Sequence, residues 1–328
     1  MMNDEKDVMR NKLSFSVFLF FVVFVVFLQS FSVWAENGDF VSLTQSGYQI
    51  FYAPGISQPG QAIVVALHSR DSLAQASAHQ PLRMSFRDRK FSLEAVAQGW
   101  RGVAAVPLGT AAGKYKLTIM LQSGEELIVP ITVLAHDYGE QRLTVPEEMA
   151  TPILAENLQK IKRDRQNLGV AYASSGESLL FAEVFRSPLS STITSPFGRR
   201  RLLNGKPKSP HGGIDFKAAV GVPIAAAAKG RVVLAEELYY SGNLVIIDHG
   251  LDIFTLYMHL DEILCRPGDI VASEQIIGKA GSSGRVTGPH LHWGVKIAGV
   301  FVDPLRFVGD SKHLLKLPWE DGNGKSKF

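Results

Sequence analysis

Two long stretches of this sequence consist of short β-branched and aromatic runs separated by Gly/Pro turns, and this alternation restricts the chain to a mainly β architecture. In the first stretch, from about Val41 to Val133, the runs are Tyr48 to Ala53, Ala62 to Leu67, Trp100 to Val106, Lys114 to Leu121 and Leu127 to Val133. Turns at Pro54-Gly55, Pro59-Gly60 and Ala112-Gly113 divide them, a spacing that predicts an immunoglobulin-like β-sandwich module over 36–137. This module has no Cys pair and no clustering of His with carboxylates, which points to a binding or spacer role. In the second stretch, the runs are Val222 to Ala227, Arg231 to Ala235, Asn243 to Asp248, Ile253 to Met258, Ile276-Ile277, Leu291 to Ile297 and Val300 to Val302. They predict an antiparallel β-sheet domain over 187–308.

A different period interrupts the strands. Between Thr151 and Ala173 the residues Ile153, Leu154, Leu158, Ile161, Leu168 and Tyr172 recur at steps of three and four, with Lys160, Lys162, Arg163 and Asp164 mostly off the stripe. This reads as an amphipathic helix with Thr151 as N-cap and Pro152 at its first position, inside a helical linker over 138–186. Its charges are mixed in sign, which favours a connector packed on one domain over a membrane or partner helix. Residues 309–328 are rich in Lys and Gly and read as a loosely held tail.

A chain of 328 residues with 46% hydrophobic content can build two cores. A formal charge of +3 from scattered Lys and Arg suits an anionic wall or membrane surface and does not argue for nucleic acid. At the N-terminus, Lys6, Arg10 and Lys12 precede an apolar run from Leu13 to Leu28, and Val33 and Ala35 are small enough for cleavage before Glu36. Residues 1–35 therefore read as a secretory signal peptide, with an uncleaved membrane anchor as the alternative. Either places the rest of the chain outside the cytoplasm. The single Cys265 can form no internal bridge and reads as a small buried residue.

The chain has nine histidines, and four of them fall with one aspartate in a constellation within the second β domain. These are His211 and Asp215 in His-Gly-Gly-Ile-Asp, His259 in Tyr-Met-His-Leu, and His290 and His292 in His-Leu-His-Trp. Alternate residues of a strand share a face, so His290 and His292 can project into one cleft while Leu291 enters the core. Gly212-Gly213 disfavours a helix between His211 and Asp215, and in an extended segment residues four apart again share a face. Two imidazoles and a carboxylate would give zinc three protein ligands and leave a fourth position for water, the pattern of a catalytic site. A spare histidine beside the ion would serve as general base or oxyanion donor. His68, His79, His136 and His313 read as surface or hydrogen-bonded residues, and His249 as a turn residue.

Thr194 to Gly198 (Thr-Ser-Pro-Phe-Gly), His211 to Phe216, Tyr257 to Leu260 and Gly288 to Trp293 together resemble the lysostaphin-type (LytM) family of peptidoglycan metalloendopeptidases. The resemblance spans roughly Pro188 to Phe307, with no departure at the five key positions. It implies a domain of the LytM/duplicated-hybrid-motif type in which Zn2+ is held by His211, Asp215 and His292, with His259 and His290 as the catalytic pair. The division of roles between His290 and His292 comes from the family. It also implies that the substrates are stem or cross-link peptides of bacterial peptidoglycan, that zinc-bound water attacks the amide, and that the protein works in the periplasm or cell envelope; an envelope regulatory partner that relieves autoinhibition is a separate expectation. Membrane attachment follows only if residues 1–35 stay uncleaved.

Other features carry less. Arg199-Arg200-Arg201 could bind a stem-peptide carboxylate, although charge runs are usually solvated. Gly281 to Gly288 lacks a P-loop ending and reads as the loop that shapes entry to the His290 strand. Arg266 to Asp269 and Gln275 to Gly278 resemble biotin- and lipoyl-carrier hairpins, but no lysine with the flanking tip motif is present. The competing functional reading is a non-catalytic envelope scaffold that binds peptidoglycan or activates another wall hydrolase, and an autoinhibited enzyme is a further variant.

Overall fold

The computed structural model describes residues 40–69, 81–144, 155–207 and 209–319. The proposed signal or anchor at 1–35, the cap at Thr151-Pro152, His79 and the end of the tail lie outside the described residues.

The first β stretch folds into two facing sheets. Val41–Gln45 (β1), Tyr48–Ala53 (β2), Ala62–Ser69 (β4), Leu93–Val96 (β7) and Gly99–Ala105 (β8) make one sheet, in the order β1-β2-β4-β8-β7. Ile56–Ser57 (β3), Pro81–Phe86 (β5), Arg89–Phe91 (β6), Gly113–Leu121 (β9) and Glu126–Val133 (β10) make the other, in the order β3-β10-β9-β5-β6. Strands β9 and β10 alternate, burying Leu117, Ile119 and Leu121 and then Leu127, Val129, Ile131 and Val133. In β4 the alternation fails, with Ala62 to Leu67 all buried, because both faces are covered. One faces the partner sheet, and the other carries the C-terminal segment of the chain.

The linker supplies a strand as well as a helix. Glu140–Leu143 (β11) pairs in parallel with Arg200–Leu203 (β13), which pairs with Lys206–Pro207 (β14). The helix runs Ala155–Tyr172 (α1) and packs on Gly230–Leu238 (β17). Its buried side keeps Ile161, Leu168 and Tyr172 of the sequence stripe, but Leu158 is exposed and Asp164 is buried, accepting the backbone N–H of Tyr239 at 2.7 Å. The N–H of Tyr239, just past the end of β17, explains the buried carboxylate, since it needs an acceptor that no leucine provides.

The second β stretch forms one large sheet. Its main path follows Ile193–Ser195 (β12), Ile214–Lys217 (β15), His290–Ile297 (β22), Ile253–Ile263 (β19), Gly242–Asp248 (β18), β17 and Ile270–Val271 (β20). Pro223–Ala225 (β16), Ile276–Ala280 (β21) and Val300–Val302 (β23) flank that path. The register sets His292 opposite Asp215 on one side and Met258 on the other, with His290 opposite Lys217. Leu291, Trp293, Val295 and Ile297 point to the other face and are fully buried. The face that bears His292 continues along β19 to Leu256 and Phe254, where α1 lies, with Tyr172 edge-on to Phe254 at 5.2 Å.

The C-terminus corrects an expectation. In place of a loose tail from residue 309, Pro304–Asp310 (α2) and Lys312–Leu315 (α3) lead to Trp319, and Leu314, Leu317 and Trp319 are buried. Asp303 caps α2 by accepting from the backbone N–H groups of Leu305 and Arg306. Trp319 and Leu317 pack on Ala66 beside Phe51 and Val96 of the sandwich. Arg101 of β8 donates to the carbonyl of Leu314 at 2.7 Å, so polar and apolar contacts together dock the segment.

Candidate metal and catalytic centre

Three side chains from three places in the chain converge on the open face of the large sheet. Asp215 and His292 are register partners on β15 and β22, and His292 Nδ1 lies 2.7 Å from Asp215 Oδ1. His211 precedes β15, and its Nε2 lies 3.0 Å from both Asp215 Oδ1 and His292 Nδ1. Gly213 permits the convergence: a Cβ there would collide with the Trp293 carbonyl oxygen and stand 2.8 Å from His292 Nε2. The His-Gly-Gly-Ile-Asp sequence is thus a close crossing of backbone over the His292 ring.

The tautomer of His211 tests whether this cluster suits a cation. Its Nδ1 lies 2.9 Å from the carbonyl oxygen of Pro196, a pure acceptor, so Nδ1 carries the proton and the neutral ring directs the Nε2 lone pair at Asp215. Two lone-pair atoms 3.0 Å apart in a buried site repel unless a positive charge lies between them. Burial pushes the Asp215 carboxyl up, but a proton placed between it and His211 or His292 outweighs burial and holds it well below the usual carboxylate range, which marks this point as one that calls for positive charge. Burial likewise pushes His292 down, toward the neutral form that ligates metals. Two neutral imidazole nitrogens and one carboxylate oxygen fit a zinc ion.

The other two histidines stand beside this cluster. His290 shares a face with His292, and its Nε2 is 3.9 Å from Asp215 Oδ1. His259 lies 4.9 Å from His290 and 6.3 Å from His292, ring centre to ring centre. Both donate Nδ1–H to backbone carbonyls, His259 to Ser283 at 3.0 Å and His290 to Gly288 at 2.9 Å. The glycine-rich loop 281–288 therefore orients both rings and frees both Nε2 atoms. His259 has a left-handed backbone at φ +64, held by its N–H on the carbonyl of Ser241 at 2.9 Å. Burial, followed by the charges of His290 and His292, pushes its pKa down to about 3.

The structure brings together all five residues singled out by sequence, and it adds two that sequence reasoning missed. Arg201 Nη2 donates to Asp215 Oδ2 at 2.9 Å, which leaves Oδ1 for the centre, so this arginine faces inward rather than forming part of a solvated run. Ser195, 3% exposed, accepts from Arg201 and lies 3.2 Å from His211 Nδ1. Ser195 lies in the Thr-Ser-Pro-Phe-Gly motif, but nothing in the spacing assigned it a partner. His249 lies in the connection between β18 and β19, as its place after a strand implied, but its side chain does more than turn the chain. It is fully buried between the Lys229 carbonyl and the Thr255 hydroxyl, and burial pushes its pKa down to about 4. Cys265 is buried, and burial raises its thiol pKa to about 11, leaving it unreactive.

Residues 209–304 match the family model described as Peptidase family M23. Among curated relatives, the peptidoglycan DD-endopeptidase ShyA of Vibrio cholerae serotype O1 is 35% identical over 177 residues, covering 53% of this chain and 41% of that protein. The DD-carboxypeptidase/endopeptidase Mpg of Neisseria meningitidis serogroup B is 39% identical over 113 residues, covering 34% of this chain and 26% of that protein. The chain thus spans less than half the length of these relatives. A crystal structure from Pseudomonas aeruginosa, classed as a peptidase M23, is similar over 76% of this chain and 94% of its own, with 27% identity and a TM-score of 0.57.

Proposed function

Residues 209–304 form a peptidase family M23 domain, and from that premise we propose that the protein is a zinc-dependent metalloendopeptidase that hydrolyses peptide bonds in the stem or cross-link peptides of peptidoglycan. The observation that carries the proposal is the convergence of His211, Asp215 and His292 within 3.0 Å of one another, beside two further histidines with free Nε2 atoms. The naming of ShyA as a peptidoglycan DD-endopeptidase supports the substrate class.

His211 Nε2, His292 Nδ1 and Asp215 Oδ1 are the atoms that would hold zinc. Zinc bound there supplies Lewis acidity toward a peptide carbonyl and toward water. The remaining work belongs to the chain's own groups. His259 and His290 offer Nε2 as proton acceptors on the open face, and each can return that proton to the leaving amine. Their fixed Nδ1–H bonds keep the rings from turning the wrong nitrogen to the substrate. Once protonated, either ring is a donor to the developing oxyanion.

The β-sandwich serves as an immunoglobulin-like spacer in this proposal. Its strand order supports that assignment, because β2-β4-β8-β7 opposes β10-β9-β5 as in such sandwiches. Residues 1–35 carry the protein out of the cytoplasm to the periplasm or cell envelope, which cell fractionation of the native chain would test. The activity itself is tested by mass spectrometry of purified cross-linked muropeptides incubated with the zinc-loaded or the chelated protein. New amine and carboxyl termini that depend on zinc bear the proposal out. Muropeptides left intact by a zinc-loaded protein refute it and favour the scaffold reading.

A further inference from the structure

The linker enters the metal centre through Gln141. This residue lies on β11, 54 positions from Ser195 in sequence and outside the stretch matched to the peptidase family. In the parallel pairing of β11 with β13 it is the register partner of Arg201. Its Oε1 accepts the Ser195 hydroxyl proton at 3.1 Å. A serine hydroxyl has one proton and two lone pairs. With the proton spent on Gln141, the lone pairs are left for His211 Nδ1–H at 3.2 Å and Arg201 Nη2–H at 3.3 Å. The same Arg201 nitrogen holds Asp215 Oδ2 at 2.9 Å.

The amide orientation follows from its neighbours. Were the Gln141 NH2 turned inward, Ser195 Oγ would face donors from Gln141, His211 and Arg201 while its own proton had no acceptor among them. The linker is also clamped in place on its other side. The Tyr138 hydroxyl donates to the carbonyl of Pro59 in the sandwich at 2.7 Å, and its ring stands edge-on to Phe197 at 5.5 Å. Gly198, at φ +79, lies so close under this ring that a Cβ would run into it. The segment Ser195 to Gly198, which orients His211, is thus gripped by the linker at both ends.

We propose that Gln141 is a positioning residue for the metal centre. By taking the Ser195 proton it turns the hydroxyl lone pairs toward His211 and Arg201. That gives His211 Nδ1–H a second acceptor beside the Pro196 carbonyl, which steadies the ring, and keeps Asp215 with Oδ1 facing His292, so the linker strand forms part of the site rather than a tether to it. This inference rests on the zinc reading of the centre given above.

Zinc affinity of the full chain, measured by competition with a chromogenic chelator, tests the relay. Removing the acceptor in Gln141→Leu should weaken zinc binding about tenfold, as loss of a partner to a metal ligand typically does. Gln141→Glu keeps an acceptor oxygen in reach and should bind zinc like the parent. The visible spectrum of the cobalt-substituted protein should change in the first variant and not in the second. Metal-free unfolding midpoints should match across all variants. Ser195→Ala should lose zinc affinity to the same degree, and the double variant should lose no more than Ser195→Ala alone, because the two residues act in series.

Parental zinc affinity in Gln141→Leu overturns the proposal, as does an equal loss in Gln141→Glu or additive losses in the double variant. Should Gln141→Leu fail to fold, Gln141→Asn, which withdraws the amide oxygen by one methylene, must show the weakened affinity. A parent chain that binds no zinc overturns the metal reading together with this one, whereas a zinc-binding parent matched by Gln141→Leu overturns this one alone.

Discussion

His211, His259 and His290 each spend Nδ1–H on a backbone carbonyl, those of Pro196, Ser283 and Gly288, and so present Nε2 to the open face. From this shared device follows a separation of roles by substitution. His211→Ala or Asp215→Ala should abolish stoichiometric zinc and muropeptide cleavage together, read by metal analysis and turnover on the same preparation. His290→Ala should retain zinc and lose turnover by at least about a hundredfold. Zinc lost in His290→Ala, or activity kept in a zinc-free Asp215→Ala, would break the assignment. A separate residue-level effect belongs to His249, whose pKa is pushed down to about 4 by burial. Above the unfolded value near 6.5 both states are neutral and its contribution is complete. As pH falls from there toward 4, the unfolded chain binds the proton first and stability drops, by up to about 3 kcal/mol. Urea unfolding at pH 7.5 and pH 5 should show this drop in the parent and a flatter dependence in His249→Gln.

At the scale of elements, the strands that pair side by side were the most legible part of the chain. The run Tyr48 to Ala53 coincides with β2, and Val300 to Val302 with β23. Alternation in such strands is a local signal, because each residue's partner sheet lies on a fixed side. The constellation was legible for the same reason, since His290 and His292 share a strand face whatever the tertiary fold. What the sequence hid depends on distant partners. Arg201 is read as one charge of a run until Asp215 lies beside it, and Gln141 carries no signal at all. Asp164 breaks the apolar stripe of α1 because it answers the N–H of Tyr239. The tail looked loose because it is rich in Lys and Gly, while its Leu317 and Trp319 find their partners on the sandwich. Trp319→Ala should therefore cost about 3–5 kcal/mol in chemical unfolding, as truncation of a buried tryptophan does. A change within about 0.5 kcal/mol would return the segment to a surface tail.

Across the whole molecule, one continuous apolar core includes Ile63 and Val103 of the sandwich together with Phe185 and Phe307 of the C-terminal half. Polar contacts cross the same boundary, among them Ser92 to Asp252 at 2.8 Å and Arg101 to the Leu314 carbonyl. Shared core and shared hydrogen bonds predict a single cooperative unfolding transition, observable as coincident fluorescence and circular dichroism curves. Two separated transitions would show that the β modules are energetically independent. The coupling also gives the sandwich a path to the chemistry, through Pro59, Tyr138 and the segment that holds His211.

The most direct single measurement is a zinc titration of the chelated full chain, with cleavage of a cross-linked muropeptide followed at each addition. Hydrolysis should be absent without metal, rise in proportion to zinc, and level off at one equivalent per chain. Cleavage by the metal-free protein, or a chain saturated with zinc that leaves the peptide intact, would contradict a zinc peptidase built on His211, Asp215 and His292.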